Sequence, residues 1–156
     1  MQEVSGASAS GAAAEAEGRP YPAEVCVLRA ALDRWAAIQP EKVFVQFAGG
    51  PSWTYRTLHE IVRRTAAGFQ RLGVRQGDRV LLWLPNGPEV LRCAFALNYL
   101  GAVSVPINTA YKGRLLEHVI ANADARLVVA AAKLVPLLAT VGLHGIEKIV
   151  AADDAA

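Results

Sequence analysis

Residues 80–84 read Val-Leu-Leu-Trp-Leu, an unbroken apolar run that decides the fold. A Gln-Gly-Asp turn at 76–78 precedes the run, and Pro-Asn-Gly-Pro at 85–88 ends it. Such a run, with no polar residue at alternate positions, is typical of a strand that is buried on both faces of a parallel sheet. The run therefore predicts the centre of an α/β fold that has helices on both faces of the sheet.

Strand and helix patterns alternate after this run. The predicted elements are, in order, a helix at 89–100, a second buried strand at 102–107, a helix with an inner stripe of Leu115, Leu116, Val119, Ile120 and Ala123, a strand at 127–130, a short helical stretch interrupted by Pro136, and a strand at 148–150. Because short connections join helices and strands in alternation, the pattern predicts a mostly parallel sheet flanked by helices.

The residues before the run predict two helices and a hairpin. The predicted elements are an amphipathic helix at 25–39 with Val25, Leu28, Leu32 and Trp35 on one face, two strands at 42–47 and 52–55 around the Gly-Gly-Pro turn at 49–51, and a long helix with an apolar stripe from Leu58 to Leu72. These assignments rest on the helical and alternating periods of the apolar residues. Gly73 follows the long stripe, where a left-handed helix stop is expected.

The composition is that of a globular domain with little net charge. The 156 residues are 53% hydrophobic and 19% charged, and the formal net charge of +2 arises from basic residues scattered among acids. Nucleic-acid binding needs a clustered basic surface, so nucleic acid is not expected as a partner. The most apolar stretch, 90–107, contains Arg92, Asn98, Gly101 and Pro106, and no membrane span is expected there.

Cysteine usage and the amino-terminal composition bear on the compartment. Cys26 and Cys93 show no CxxC spacing, so they are interpreted as small buried apolar residues in a reducing environment. Residues 1–20 are rich in Ala, Ser, Gly and Glu and show no signal-peptide pattern, which predicts a disordered leader ahead of a domain over 21–156. The expected location is cytoplasmic.

No short motif in the chain supports catalysis by itself. The phosphate-binding patterns GxGxxG and GxxxxGK[ST] do not occur, and no serine lies in a GxSxG elbow. His59, His118 and His144 have no acid or cysteine at metal-ligand spacing, so solvated or capping roles are expected for them. The acids at 153–154 are expected to lie in a frayed terminus, which does not hold two carboxylates in register.

The loop at 108–114, Asn-Thr-Ala-Tyr-Lys-Gly-Arg, is the strongest candidate for a binding site. It follows the carboxyl end of a predicted strand, which is where ligands bind in open α/β sheets. Its amide, two hydroxyls and two cations suit an anionic or nucleotide-bearing ligand. They suit still better a helix start at Gly113 with surface charges, and the residues alone leave both interpretations open.

Four motifs occur in order along the chain: SWTYRTL at 52–58, GVRQGDRV at 73–80, LPNGPE at 84–89 and GAVSVPINTAYKG at 101–113. Their order and spacing resemble the adenylate-forming enzymes, in particular acyl-CoA synthetases of the crotonobetaine or carnitine CoA-ligase type. Thr57 departs from this pattern, because the family usually carries Glu at that position. The fold that the resemblance implies is an incomplete part of the large amino-terminal domain of such an enzyme.

The resemblance implies a two-step ligase reaction that uses ATP, Mg²⁺ and CoA. A carboxylate attacks ATP to form an acyl-adenylate and pyrophosphate, and the thiol of CoA then displaces AMP. The family's Ser/Thr/Gly-rich phosphate loop ending in Pro-Lys is not recognisable in the 156 residues. The chain is therefore expected to be a truncated amino-terminal part of the ligase, inactive alone, with no catalytic residue of its own and no cofactor bound to it alone.

The resemblance also suggests a role for two cations of the candidate loop. In the family this loop lies near the entrance for CoA, which implies that Lys112 and Arg114 lie near the CoA phosphates.

The expected partner is the remainder of the synthetase, and without it the exposed apolar surface is expected to drive self-association. The alternative is a non-catalytic interaction module, or half of a split enzyme that needs a partner chain.

Overall fold

The computed structural model of the chain describes residues 27–153. The expected leader at 1–20, Cys26 and Asp154 lie outside the described residues. The helices are α1 (Leu28–Ile38), α2 (Tyr55–Arg71), α3 (Pro88–Tyr99), α4 (Gly113–Ala123) and α5 (Val135–Leu138), and the strands are β1 (Val43–Gln46), β2 (Ser52–Thr54), β3 (Arg79–Trp83), β4 (Val103–Pro106), β5 (Leu127–Ala131) and β6 (Lys148–Ala152). A short 3-10 turn at Ala132–Leu134 precedes α5.

The strands form the two sheets that the sequence predicts. β1 and β2 pair as an antiparallel hairpin, and the other four strands form a parallel sheet in the order β4-β3-β5-β6. The register of this sheet pairs Leu81 of β3 with Val105 of β4 and with Val128 of β5. The prediction of an α/β fold with a mostly parallel sheet flanked by helices is therefore confirmed.

Strand β3 divides its side chains between two hydrophobic cores, as a strand buried on both faces must. Val80 and Leu82 belong to a core with α1, α2 and α3, whereas Leu81 and Trp83 belong to a second core with α4 and α5. None of these four residues is more than 1% exposed. The apolar run at 80–84 thus lies at the centre of the fold.

The prediction that β4 is a buried strand is wrong. No residue of β4 is buried, and Val103 is 47% exposed. The strand order explains the difference, because β4 has a hydrogen-bonded neighbour on one side only and lies at the edge of the parallel sheet. β6 lies at the opposite edge, where Ile149 is 42% exposed.

One residue of the predicted inner stripe of α4 faces solvent. Leu116, Ile120 and Ala123 are buried as expected, but Leu115 is 52% exposed. At 3.6 residues per turn, Leu115 lies about 100° around the helix from the mean direction of the three buried residues. The stripe drawn from the sequence is therefore wider than the face that the sheet covers.

The long helix α2 begins and ends with local interactions. The backbone N–H of Thr57 donates to Thr54 Oγ1 at 3.2 Å, and the two threonine hydroxyls lie 3.1 Å apart. Thr57 occupies the position at which a Glu would complete a capping box, so its hydroxyl takes part in the cap instead. At the other end Gly73 adopts a φ of +92°, which confirms the predicted left-handed stop.

Candidate site at the carboxyl edge of the sheet

The parallel strands present their carboxyl ends at one edge of the sheet, the usual ligand-binding edge of open α/β folds. The connections that leave this edge are 84–87 after β3, 107–112 after β4 and the 3-10 turn after β5. A cavity of about 280 Å³ lies there, and residues 84–89 line it together with Lys133, Ala152 and Asp153. The candidate loop at 108–114 begins at this side of the sheet, although it does not line this cavity.

The loop at 107–112 is tied to the end of β3. The backbone N–H of Ile107 donates to Leu82 O at 3.0 Å, which continues the β3–β4 ladder. One residue further along both strands, the indole Nε1–H of Trp83 donates to Asn108 O at 3.1 Å. A side chain thus supplies the hydrogen bond that follows the last backbone one.

Asn108 then shapes the loop by both of its oxygens. Its backbone oxygen accepts from the Tyr111 N–H at 3.1 Å, and its Oδ1 accepts from the Ala110 N–H at 2.9 Å. Lys112 is extended, with φ −145° and ψ 159°, and Gly113 has a φ of +53°. The path from the strand to α4 is therefore closely specified by hydrogen bonds and by a glycine that adopts a left-handed conformation.

Lys112 and Arg114 are both exposed at the start of α4. Within residues 27–153 neither side chain forms an ion pair or a side-chain hydrogen bond. Their charges are therefore available to an anion that approaches this edge. The expected contact of these two cations with the CoA phosphates stays a prediction.

The connection at 84–87 is less suited to a phosphate. α3 begins with Pro88, which has no N–H to offer, and Glu89 lies in its first turn. Glu89 forms an ion pair with Arg92. The missing donor at the first position of α3 disfavours an anion at this connection.

At the amino ends of the parallel strands, two arginines form ion pairs with acidic side chains. Arg79 pairs with Asp124 at 2.5 Å, and Arg126 pairs with Glu147 at 2.6 Å. These residues line a cavity of about 370 Å³ at the amino ends of the strands. Each guanidinium therefore already has a carboxylate partner, and the cavity is lined by two ion pairs.

Two histidines have acidic partners that the sequence analysis missed. His59 Nε2 lies 2.9 Å from Asp33 Oδ1, and the same oxygen accepts a hydrogen bond from the Tyr99 hydroxyl at 2.8 Å. His144 Nε2 lies 3.5 Å from Glu117 Oε1. Asp33 thereby joins α1, α2 and α3, and its partners lie 26 and 66 residues away in the sequence, beyond the reach of any spacing rule.

The other residue types considered for catalysis lie in unreactive settings. In the described part of the chain, no group of three or more His, Cys, Asp or Glu could hold a metal ion. Cys93 is buried, as predicted, and burial raises the pKa of its thiol to about 11.

The described helices include none with the length and apolarity needed to cross a membrane.

Comparisons with proteins of known sequence agree with the order of motifs. Crotonobetaine/carnitine–CoA ligases from Salmonella paratyphi A and Salmonella typhi are each 40% identical to this chain over 85 residues. The matched region covers 54% of this chain and 16% of each ligase, so the chain corresponds to a small part of these relatives.

Solved structures show the same fold. A long-chain-fatty-acid–CoA ligase from Archaeoglobus fulgidus superposes with a TM-score of 0.72 at 28% identity, covering 85% of this chain and 28% of that protein. A fatty acyl CoA synthetase from Mycobacterium tuberculosis superposes with a TM-score of 0.75 at 23% identity, covering 83% of this chain and 27% of that protein.

A family model extends the match through the sheet and its helices. The model, described as AMP-binding enzyme, matches residues 32–156, which include every strand of the structure and most of α1. The motifs, the fold and the relatives all indicate the same family. The chain therefore belongs to the family of AMP-binding enzymes.

Proposed function

We propose that this chain forms the first parallel sheet of the large amino-terminal domain of an ATP-dependent acyl-CoA ligase and does not form acyl-adenylates by itself. The observation that supports this proposal best is the family match over 32–156, which includes the β3–α3–β4 unit with its LPNGPE and GAVSVPINTAYKG motifs. The chain would supply the scaffold against which the ATP-binding elements pack. ATP, Mg²⁺ and CoA would bind the complete ligase, and its reaction would be cytoplasmic.

The chemistry of the ligase explains why the scaffold alone is expected to be inactive. Attack of a carboxylate on ATP needs the nucleotide, the metal and the acid to be held in one geometry, and most of the rate enhancement comes from that positioning and from charge stabilisation. The 156 residues contain no Ser/Thr/Gly-rich loop ending in Pro-Lys. The groups that would align the triphosphate are therefore expected in other parts of the complete ligase.

The purified chain is expected to give no acid-dependent exchange of pyrophosphate into ATP. The assay would use crotonobetaine, carnitine and fatty acids of increasing length, with a complete Salmonella ligase as the positive control. Exchange by the chain that depends on one of these acids and saturates with its concentration would contradict the proposal.

The same assay addresses the alternative of a split-enzyme half or interaction module. Two observations favour a surface that another polypeptide covers. The first is a groove of about 510 Å³ between α2, α3 and the β5–β6 face, which is lined mostly by apolar residues such as Phe69 and Val150 and also by Arg64, Glu89 and Arg92. The second is the exposure of large apolar side chains elsewhere, namely Val27, Leu28, Trp35, Ile38, Val43, Phe44, Val103, Leu115 and Ile149. A split half predicts exchange when a second chain with the remaining family motifs is added, whereas a binding module predicts complex formation without exchange.

We further propose that Lys112 and Arg114 contact the phosphates of CoA in the complete ligase. The test is a ligase in which residues 32–156 of this chain replace the equivalent segment of a crotonobetaine/carnitine–CoA ligase. Replacing both cations by Ala is expected to raise the KM for CoA about three- to tenfold, since exposed charge pairs contribute at most about 1 kcal/mol each. The rate of pyrophosphate exchange is expected to stay unchanged, because CoA enters after the adenylate has formed.

A matched control removes two exposed cations from the other face of the sheet. Arg34 and Lys42 both lie near the Trp35 ring, on the side of α1. Replacing these two by Ala removes the same charge without touching the carboxyl edge. An equal rise of the KM in both double variants would show a general charge effect and would remove the proposed contact.

A further inference from the structure

Trp83 occupies an unusual position for a residue that makes a polar contact. It ends the central strand β3, none of its surface is exposed, and it packs in the core with α4 and α5. A buried indole N–H is costly unless it finds an acceptor. The acceptor is Asn108 O, which lies in the next post-strand loop and is 25 residues away in the sequence.

The contact makes the loop depend on the core. The β3–β4 backbone ladder ends at the bond from Ile107 N–H to Leu82 O, and the Trp83 indole holds the following residue, Asn108. The two oxygens of Asn108 in turn accept the N–H groups of Ala110 and Tyr111. A shift of Asn108 would therefore change the backbone path that leads to α4.

We infer that Trp83 is a positioning residue, which acts through Asn108 to place Lys112 and Arg114 at the carboxyl edge of the sheet. The inference rests on the proposed function for the ligand, because the CoA phosphates are the anions that these cations would meet. Phenylalanine at position 83 would keep a smaller aromatic ring in the same core and would not donate to Asn108, so the substitution removes the hydrogen bond and retains much of the packing. Trp83 touches neither substrate nor cofactor in this role.

The first test compares Trp83→Phe with Trp53→Phe by amide hydrogen exchange in the 156-residue chain. Trp53 is also buried, and among residues 27–153 its indole donates no hydrogen bond, so it serves as a matched control. In Trp83→Phe the amides of Ala110 and Tyr111 are expected to exchange about five- to tenfold faster than in the control, corresponding to one lost hydrogen bond. Equal exchange in the two variants would overturn the inference.

A second measurement needs no substitution and covers the case in which Trp83→Phe does not fold. In the unaltered chain, the Trp83 indole N–H and the Tyr111 amide share the Asn108 oxygen as acceptor, so the loop that carries Tyr111 is expected to open rarely and both groups to be protected from exchange, the fully buried indole more strongly. If the Tyr111 amide exchanges as fast as an unstructured amide, the contact with Trp83 does not hold the loop and the inference fails.

A third measurement separates this inference from the proposed CoA contact. In the complete ligase with residues 32–156 of this chain, Trp83→Phe is expected to raise the KM for CoA about threefold or more, with pyrophosphate exchange unchanged. If Trp83→Phe accelerates loop exchange but the double alanine variant of Lys112 and Arg114 leaves the KM unchanged, the CoA contact fails and the positioning of the loop stands. An unchanged KM in Trp83→Phe, when the double variant does raise it, overturns the positioning role.

Discussion

Leu116→Ala is expected to lower the free energy of unfolding by about 3–5 kcal/mol, whereas Leu115→Ala changes it by less than about 0.5 kcal/mol. The two leucines are adjacent on α4, but Leu116 is fully buried and Leu115 is 52% exposed. Removing Leu116 leaves a cavity in the core that α4 forms with Leu81 and Trp83 of β3. Removing Leu115 exposes no core and replaces Leu by a residue that also favours helix.

Urea unfolding followed by circular dichroism measures both changes under identical conditions. The pair is a matched control, since the residue type, the helix and the substitution are the same and the burial differs. Similar losses in both variants would mean that α4 packs in a different rotation about its axis. The loss in Leu116→Ala is a large fraction of the total stability of a typical domain, about 5–15 kcal/mol, so the variant is expected to be only marginally stable.

Alkaline pH is expected to destabilise the fold through Cys93 by up to roughly 3 kcal/mol. Burial is the largest cause of the raised pKa of its thiol, which moves from 9.0 to about 11, while Arg92 lowers it and Glu89 raises it. Because the unfolded thiol loses its proton first, the stabilising effect is complete below about pH 9. It declines as the pH rises and is lost once the pH passes about 11.

The comparison is between the unaltered chain and Cys93→Ala over pH 7–11. The alanine variant removes the titrating thiol, so its urea midpoint is expected to fall less steeply between pH 9 and 11. The pKa of Tyr99 is raised as well, by burial first and by its hydrogen bond to Asp33 second, so some alkaline destabilisation remains in both proteins. Identical slopes in the two proteins would contradict the role of Cys93.

The two predictions address the cores on the two faces of β3. Leu116 belongs to the core with α4 and α5, which also holds Trp83, and Cys93 belongs to the core with α1, α2 and α3. The candidate loop leaves β4 at the edge of the sheet and depends on the first of these cores through the Trp83 indole. Its geometry should therefore be sensitive to packing beneath α4 and less so to packing around Cys93.

Local patterns in the sequence determined much of this fold. The apolar run at 80–84 identified the central strand, the Gly-Gly-Pro turn at 49–51 identified the hairpin, and Gly73 identified the end of α2. Periodicity and turn chemistry depend on residues that are neighbours in the chain, so they can be recognised without knowledge of the tertiary structure. The order of the motifs was also sufficient to indicate the family.

Tertiary structure alone decided which elements are covered and which side chains meet. The sequence pattern of β4 is that of a buried strand, but its burial depends on the order β4-β3-β5-β6, which puts it at an edge. The exposure of Leu115 depends in the same way on how much of α4 the sheet covers. Strand order and helix rotation are set by the packing of the whole domain, and no local period encodes them.

The candidate site was likewise determined partly by the sequence and partly by the tertiary structure. Position in the chain was enough to select the loop with Lys112 and Arg114, because a loop that follows a parallel strand lies at the carboxyl edge. The contact of Trp83 with Asn108, like that of Asp33 with His59 and Tyr99, appeared only in the structure. These pairs are between 25 and 66 residues apart, and their hydrogen bonds exist because folding brings donors and acceptors from separate elements within about 3 Å.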